Sequence, residues 1–170
     1  MLRLPLAFAF LALLAAPVVA QQQQPMTMPG MAMHEVTSNE PYHPGLGELM
    51  TAFVQPRHTK LGLAGIAQNW VLAAYELNEL RETFDDVGKL VPKHGQLDIP
   101  PAIAATVDQP MDALDKAIKA KDKAAFTKAY ADLTNGCNAC HQSGDHPMIV
   151  IQAPSVGQTS FPDQNFNAPK

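Results

Sequence analysis

The chain has 170 residues, 46% of them hydrophobic and 16% charged, with 12 Lys and Arg against 16 Asp and Glu and a formal net charge of -4. That length suits one domain with a modest core. The acidic balance argues against nucleic-acid binding, which needs a basic face.

The first segment reads as a targeting signal. Met1-Leu2-Arg3 supplies a short positive start, Leu4 to Ala16 is almost wholly apolar, and Val18-Val19-Ala20 offers small residues for cleavage before Gln21. This pattern predicts a cleaved secretory signal peptide over 1–20. The apolar run is about 13 residues, short of the roughly 20 that span a bilayer. No other stretch is apolar enough to span, so the mature protein is expected in the periplasm, without a stable membrane span. Cleavage removes Arg3, leaving 11 basic against 16 acidic residues and a net charge of -5. Residues 21–44 read as a flexible leader rich in Gln, Met and Pro, opening on Gln21-Gln22-Gln23-Gln24 and broken by Pro25, Pro29, Gly30 and Pro41. Such a segment buries too little apolar surface to offset its ordering entropy. Met26, Met28, Met31, Met33 and His34 form a soft-ligand cluster within it. Thioethers favour Cu(I), so the cluster is either a copper site or a compositionally biased linker.

Residues 45–146 predict an all-α, antiparallel four-helix bundle. Helix one runs from about Leu46 to Gln68, with Leu46, Met50, Phe53, Leu61 and Ala64 on one face and a kink expected at Pro56. Asn69 caps helix two, whose stripe is Trp70, Ala73, Leu77, Leu80, Phe84, Val87 and Val91, and which Pro92 and Gly95 stop. Pro100-Pro101 opens helix three, with Ile103, Val107, Met111, Leu114 and Ile118 as its stripe and Pro110 dividing it into a short turn and a longer helix. Asp122 caps helix four, where Phe126, Tyr130, Leu133, Cys137 and Cys140 repeat at helical spacing. No period-two alternation of any length predicts a sheet. The tail, 147–170, is broken by Pro154, Gly157, Pro162 and Pro169 and reads as irregular.

The two cysteines of the chain stand in Cys137-Asn138-Ala139-Cys140-His141, the pattern of covalent c-type haem attachment. Two thiols add across the two vinyl groups of a porphyrin, and the histidine that follows reaches the iron from one side. A structural zinc site would want a second ligand pair, which the sequence lacks. A thioredoxin-like dithiol belongs in a strand–helix setting, absent from an all-helical reading. One covalent haem c is therefore the expected cofactor.

An exported four-helix chain carrying this motif at the end of its last helix resembles the cytochrome c prime family of class II c-type cytochromes and its low-spin relatives. The resemblance covers about Leu46 to Gln142. It implies His141 as proximal iron ligand and a distal side formed by helix one. Low-spin members place a Met there, and Met50 holds the comparable position; high-spin members leave the iron open. His58, two turns on and about 80° around from Met50 by the 3.6-residue period, is a rival ligand or a surface histidine. His146 and Met148 lie just beyond the motif. Phe53, Phe126 and Tyr130 are expected against the porphyrin or in ordinary core packing, and Arg57 near a propionate or in solvent. Relatives are often dimers through helices one and two, so a homodimer is expected by analogy. The departures are Gly47 and Glu48 where relatives often carry Arg, and Gln142 where they usually carry a basic residue.

The expected function is electron transfer to and from a redox partner protein, to which an acidic surface permits docking. No catalytic triad, phosphate loop or paired acids is visible, so no enzymatic role is expected. The alternatives are a five-coordinate gas-binding haem protein and a copper-handling protein that uses the leader.

Overall fold

A computed structural model of the protein describes residues 42–155 and 166–167, all within the unit Pro41–Lys170. The predicted signal peptide and nearly all of the leader, including Met26 to His34, lie outside the described residues. The domain is all-α, with four long helices among the described residues, packed in pairs.

Helix α1 is three continuous segments: Leu46–Leu49, a π-helical turn at Met50–Val54, and Gln55–Ile66. The Gln55 N–H bonds back to the Met50 carbonyl, five residues away. This wide turn sits just ahead of Pro56, whose ring crowds the preceding turn and which has no N–H to give. The chain stays helical through the proline. Helix α2, Trp70–Leu90, starts where the Asn69 side chain accepts from the Leu72 N–H at 3.2 Å. Its inner face is Ala73, Leu77, Leu80, Phe84 and Val87, as the periodicity predicts.

After α2 comes a feature that the sequence does not predict. Strands β1, Lys93–His94, and β2, Leu97–Asp98, form a two-residue antiparallel ladder pairing Lys93 with Asp98 and His94 with Leu97. Gly95 turns it at φ 59°, which suits a residue without Cβ. Two residues per strand are too few for alternation to be visible.

Helix α3 repeats the device of α1: Ile99–Ile103, a π-helical turn at Ala104–Asp108, then Gln109–Ala120. The turn again precedes a proline, Pro110, so the helix widens there and is not divided. Lys121 (φ 55°) reverses the chain, and Asp122 caps α4, Lys123–Ser143, by accepting from the Ala125 N–H at 3.0 Å.

Each helix sends one leucine fully into the core: Leu61, Leu80, Leu114 and Leu133, all 0% exposed. Each such burial is worth about 1.5–3 kcal/mol. Arg57 ties α1 to α2, reaching Glu76 at 3.3 Å and Glu79 at 2.8 Å, with Glu76 itself 2% exposed. Helix α4 lies so close to α3 that a Cβ on Gly136 would strike the Thr106 carbonyl, one residue before Cys137. After α4 the chain has no regular secondary structure through 155. None of the described helices is long and apolar enough to cross a membrane.

Candidate functional site

The end of α4 carries the motif. Cys137, Cys140 and His141 stand three and four residues apart, so they share one face of the helix. That face opens on a cavity of about 370 Å³ between α1, the hairpin, the start of α3 and the end of α4. Its walls are mainly apolar, among them Val54, Phe84, Leu97, Ile99 and Val107. Met50 of α1 lines the same cavity, as do His58, His94 and His146.

His141 is oriented from behind. Its Nδ1 lies 2.9 Å from the Ile149 carbonyl. A carbonyl only accepts, so Nδ1 carries a proton, and in the neutral ring this leaves the lone pair on Nε2. Two further bonds fix the chain that supplies this carbonyl. Asn138 Nδ2 donates to the Ile151 carbonyl at 3.0 Å, and its Oδ1 accepts from the Ile151 N–H at 2.7 Å.

The two cysteines form no disulfide with each other, and both are partly buried. Burial, and secondarily the neighbouring Cys140, pushes Cys137 up to about 12. Burial also raises Cys140. Dithiols that do redox exchange are usually shifted the other way, since the thiolate is the nucleophile. Among the described residues no group of three or more His, Cys, Asp or Glu converges to hold a metal ion.

His58 differs from its expected surface position. It is 3% exposed. Its Nε2 meets the Thr134 hydroxyl at 3.0 Å, and its Nδ1 meets the Tyr130 hydroxyl at 3.1 Å. Thr134 already donates to the Tyr130 carbonyl at 2.9 Å, so it accepts from His58 Nε2–H. Tyr130 donates to the His58 carbonyl at 2.8 Å and presents the same proton to Nδ1. The ring is thus neutral and held at both nitrogens, and burial pushes its pKa down to about 4. Burial first, and Cys137 second, raises Tyr130 well above its ordinary value.

The π-helical turn explains this placement. An unbroken α-helix would put Arg57 on Met50's face and His58 about 80° away. One extra residue taken up at Met50–Val54 rotates the rest of the helix back by about 100°. His58 thereby swings onto the cavity face beside Met50, and Arg57 swings off it toward Glu76 and Glu79.

Of the remaining predicted contacts, Phe53 is 53% exposed. Phe126 is buried in the core between Trp70 and Tyr130, each ring centroid 5.9 Å from its own. Tyr130 stacks behind His58 at 4.7 Å. None of Phe53, Arg57, Phe126 and Tyr130 is a wall of the cavity. Met148 is 74% exposed and outside it as well. His94, whose ring lies 5.4 Å from that of His146, is not marked out by the sequence, because a lone histidine beside a turn carries no periodic signal. Thr134 and Asn138 are equally silent, since their partners lie on other segments. Comparison with family models, with curated proteins and with solved structures finds no match to this chain.

Proposed function

We propose that the protein is an exported, periplasmic monohaem c-type cytochrome, similar to the cytochrome c prime family, that passes electrons to and from a partner protein. The observation that carries this reading is the gathering of Cys137, Cys140, His141 and Met50 on one apolar cavity. The donor set favours a porphyrin over a bare ion. Two thiols, one imidazole and one thioether do not make a closed four-ligand site of common type. They do match a group that brings its own four nitrogens and needs two covalent anchors and one or two axial ligands.

Cys137 and Cys140 would hold the group through thioethers. Both are partly buried, and burial raises both thiols, which disfavours the thiolate that exchange needs. His141 offers Nε2 as the proximal ligand, with Nδ1–H committed to Ile149. Met50 offers the distal thioether; His58 is the poorer donor because both its nitrogens are engaged within the fold. The apolar walls limit water and so help set the potential. The haem, when bound, supplies a one-electron ferric–ferrous couple. The protein is no enzyme on this reading. Val71 and Tyr75 of α2, 80% and 53% exposed, leave apolar side chains uncovered on one of the two helices through which relatives dimerise, and a homodimer belongs to the proposal.

The test is the absorption spectrum of ferric and ferrous protein matured in a host that attaches haem. Wild type should be low-spin, and Met50→Ala should convert it to high-spin and open the ferrous form to carbon monoxide. A wild type that is high-spin and binds carbon monoxide without competition would replace electron transfer by the five-coordinate, gas-binding alternative.

A further inference from the structure

We propose that Asn138, the first variable residue of the Cys-x-x-Cys-His motif, is a positioning residue that sets the donor strength of His141 by clamping the backbone segment that carries the Ile149 carbonyl. The inference rests on the haem reading above.

Residues 147–155 lie in no helix or strand, so no ladder holds them. A backbone carbonyl on such a segment would move, and water would take its place at an imidazole N–H. Here the segment is tied twice to one side chain. The Asn138 carboxamide offers an acceptor and a donor side by side, as a peptide group does, and Ile151 answers with its N–H at 2.7 Å and its carbonyl at 3.0 Å. This is the pairing a neighbouring strand would give, made by one residue. Asn138 and His141 stand three apart on α4 and share a face. Ile151 and Ile149 stand two apart on the strap. One strap can therefore meet both side chains at once, and the Asn138 contact fixes its register at His141. Two backbone bonds, His146 N–H to the His141 carbonyl at 2.8 Å and Ile149 N–H to the His146 carbonyl at 3.0 Å, close the turn ahead of the strap, and Asn138 ties the strap just beyond Ile149.

The consequence is electronic. An imidazole that donates Nδ1–H to a fixed carbonyl is a more basic ligand at Nε2. A more basic axial ligand stabilises ferric over ferrous iron and lowers the reduction potential. Loosening the strap replaces an oriented carbonyl by exchanging water and should raise the potential.

The experiment compares haem-loaded wild type with Asn138→Ala, Asn138→Gln and, as a control three residues earlier, about one helical turn, the exposed Asn135→Ala. Potentials come from spectroelectrochemistry, and exchange of the His141 Nδ1 proton comes from its hyperfine-shifted NMR signal. Asn138→Ala should keep its haem, shift the ferric–ferrous equilibrium toward ferrous by up to about tenfold, or ~59 mV for one electron, and exchange the Nδ1 proton faster. Asn138→Gln keeps both polar groups at a longer reach and should lie between Ala and wild type. Asn135→Ala should match wild type. If Asn138→Ala matures poorly, the Gln variant decides on the same two readouts. Full haem content with unchanged potential and unchanged exchange overturns the clamp and leaves the haem reading standing. A wild type without haem removes both.

Discussion

Acid should weaken this fold through one buried ring. His58 is 3% exposed, and burial holds its pKa at about 4 against an ordinary 6.5. In the unfolded chain it protonates near 6.5. Between those values the unfolded state binds more protons than the folded one, so stability falls as pH falls. Above about 6.5 the contribution of the neutral ring is fully present, and below about 4 it is lost. The gap corresponds to about 3 kcal/mol. His58→Leu isolates this effect from the carboxylates. The change strands no hydroxyl: Tyr130 still donates to the residue-58 carbonyl and Thr134 to the Tyr130 carbonyl. Leucine should therefore fold with a loss of about 1–2 kcal/mol at pH 7, the scale of two hydrogen bonds. Urea unfolding of the haem-loaded proteins at pH 7.0, 5.5 and 4.5, pH values set by the assay, would give the comparison. Wild type should lose about 2–3 kcal/mol more than His58→Leu across that range. Parallel profiles would refute the reasoning, since a ring already charged or already hydrated in the fold has nothing to lose.

Other expectations come from packing and pairing. Gly136→Ala pushes a methyl into the Thr106 carbonyl beside the motif. It should cost about 1–3 kcal/mol, and an unaltered melting curve would contradict the close approach of α4 to α3. Leu114→Ala or Leu133→Ala empties a fully buried site and should cost about 2–5 kcal/mol by chemical denaturation. Arg57→Ala leaves Glu76 buried without its partner, which should destabilise by about 1–3 kcal/mol, less than the 3–5 of a wholly buried pair because the arginine is partly exposed. Glu76→Gln in the same chain should recover part of that loss. The reduction potential should be unchanged in both variants, because Arg57 faces α2 and not the cavity.

Much of the fold is written in local signals. Asn69, Pro92 and Asp122 bound their helices because caps and breakers act within one turn of chain. The stripes of α2 and α3 survive because burial follows the 3.6 period. The motif residues are legible from type and spacing and Met50 from the family resemblance, and all four line one cavity. Prolines mislead in a specific way. Pro56 reads as a kink and Pro110 as a division, yet each follows a π-helical turn that keeps the helix and shifts its phase. That shift is why Arg57 and His58 exchange faces relative to the periodic reading. The polar ties are illegible for a different reason. His58 finds Thr134 and Tyr130 across 76 and 72 residues, and Asn138 finds Ile151 on a segment without periodicity. Such pairs leave no trace in either local sequence.

The proposed function stands on two thioether bonds between the polypeptide and a tetrapyrrole. Intact-mass and peptide mass spectrometry of protein matured in a c-type-cytochrome-competent host should find the mass of one haem added, located on the peptide that holds Cys137 and Cys140. Unmodified thiols or a Cys137–Cys140 disulfide, with no added mass, would contradict it.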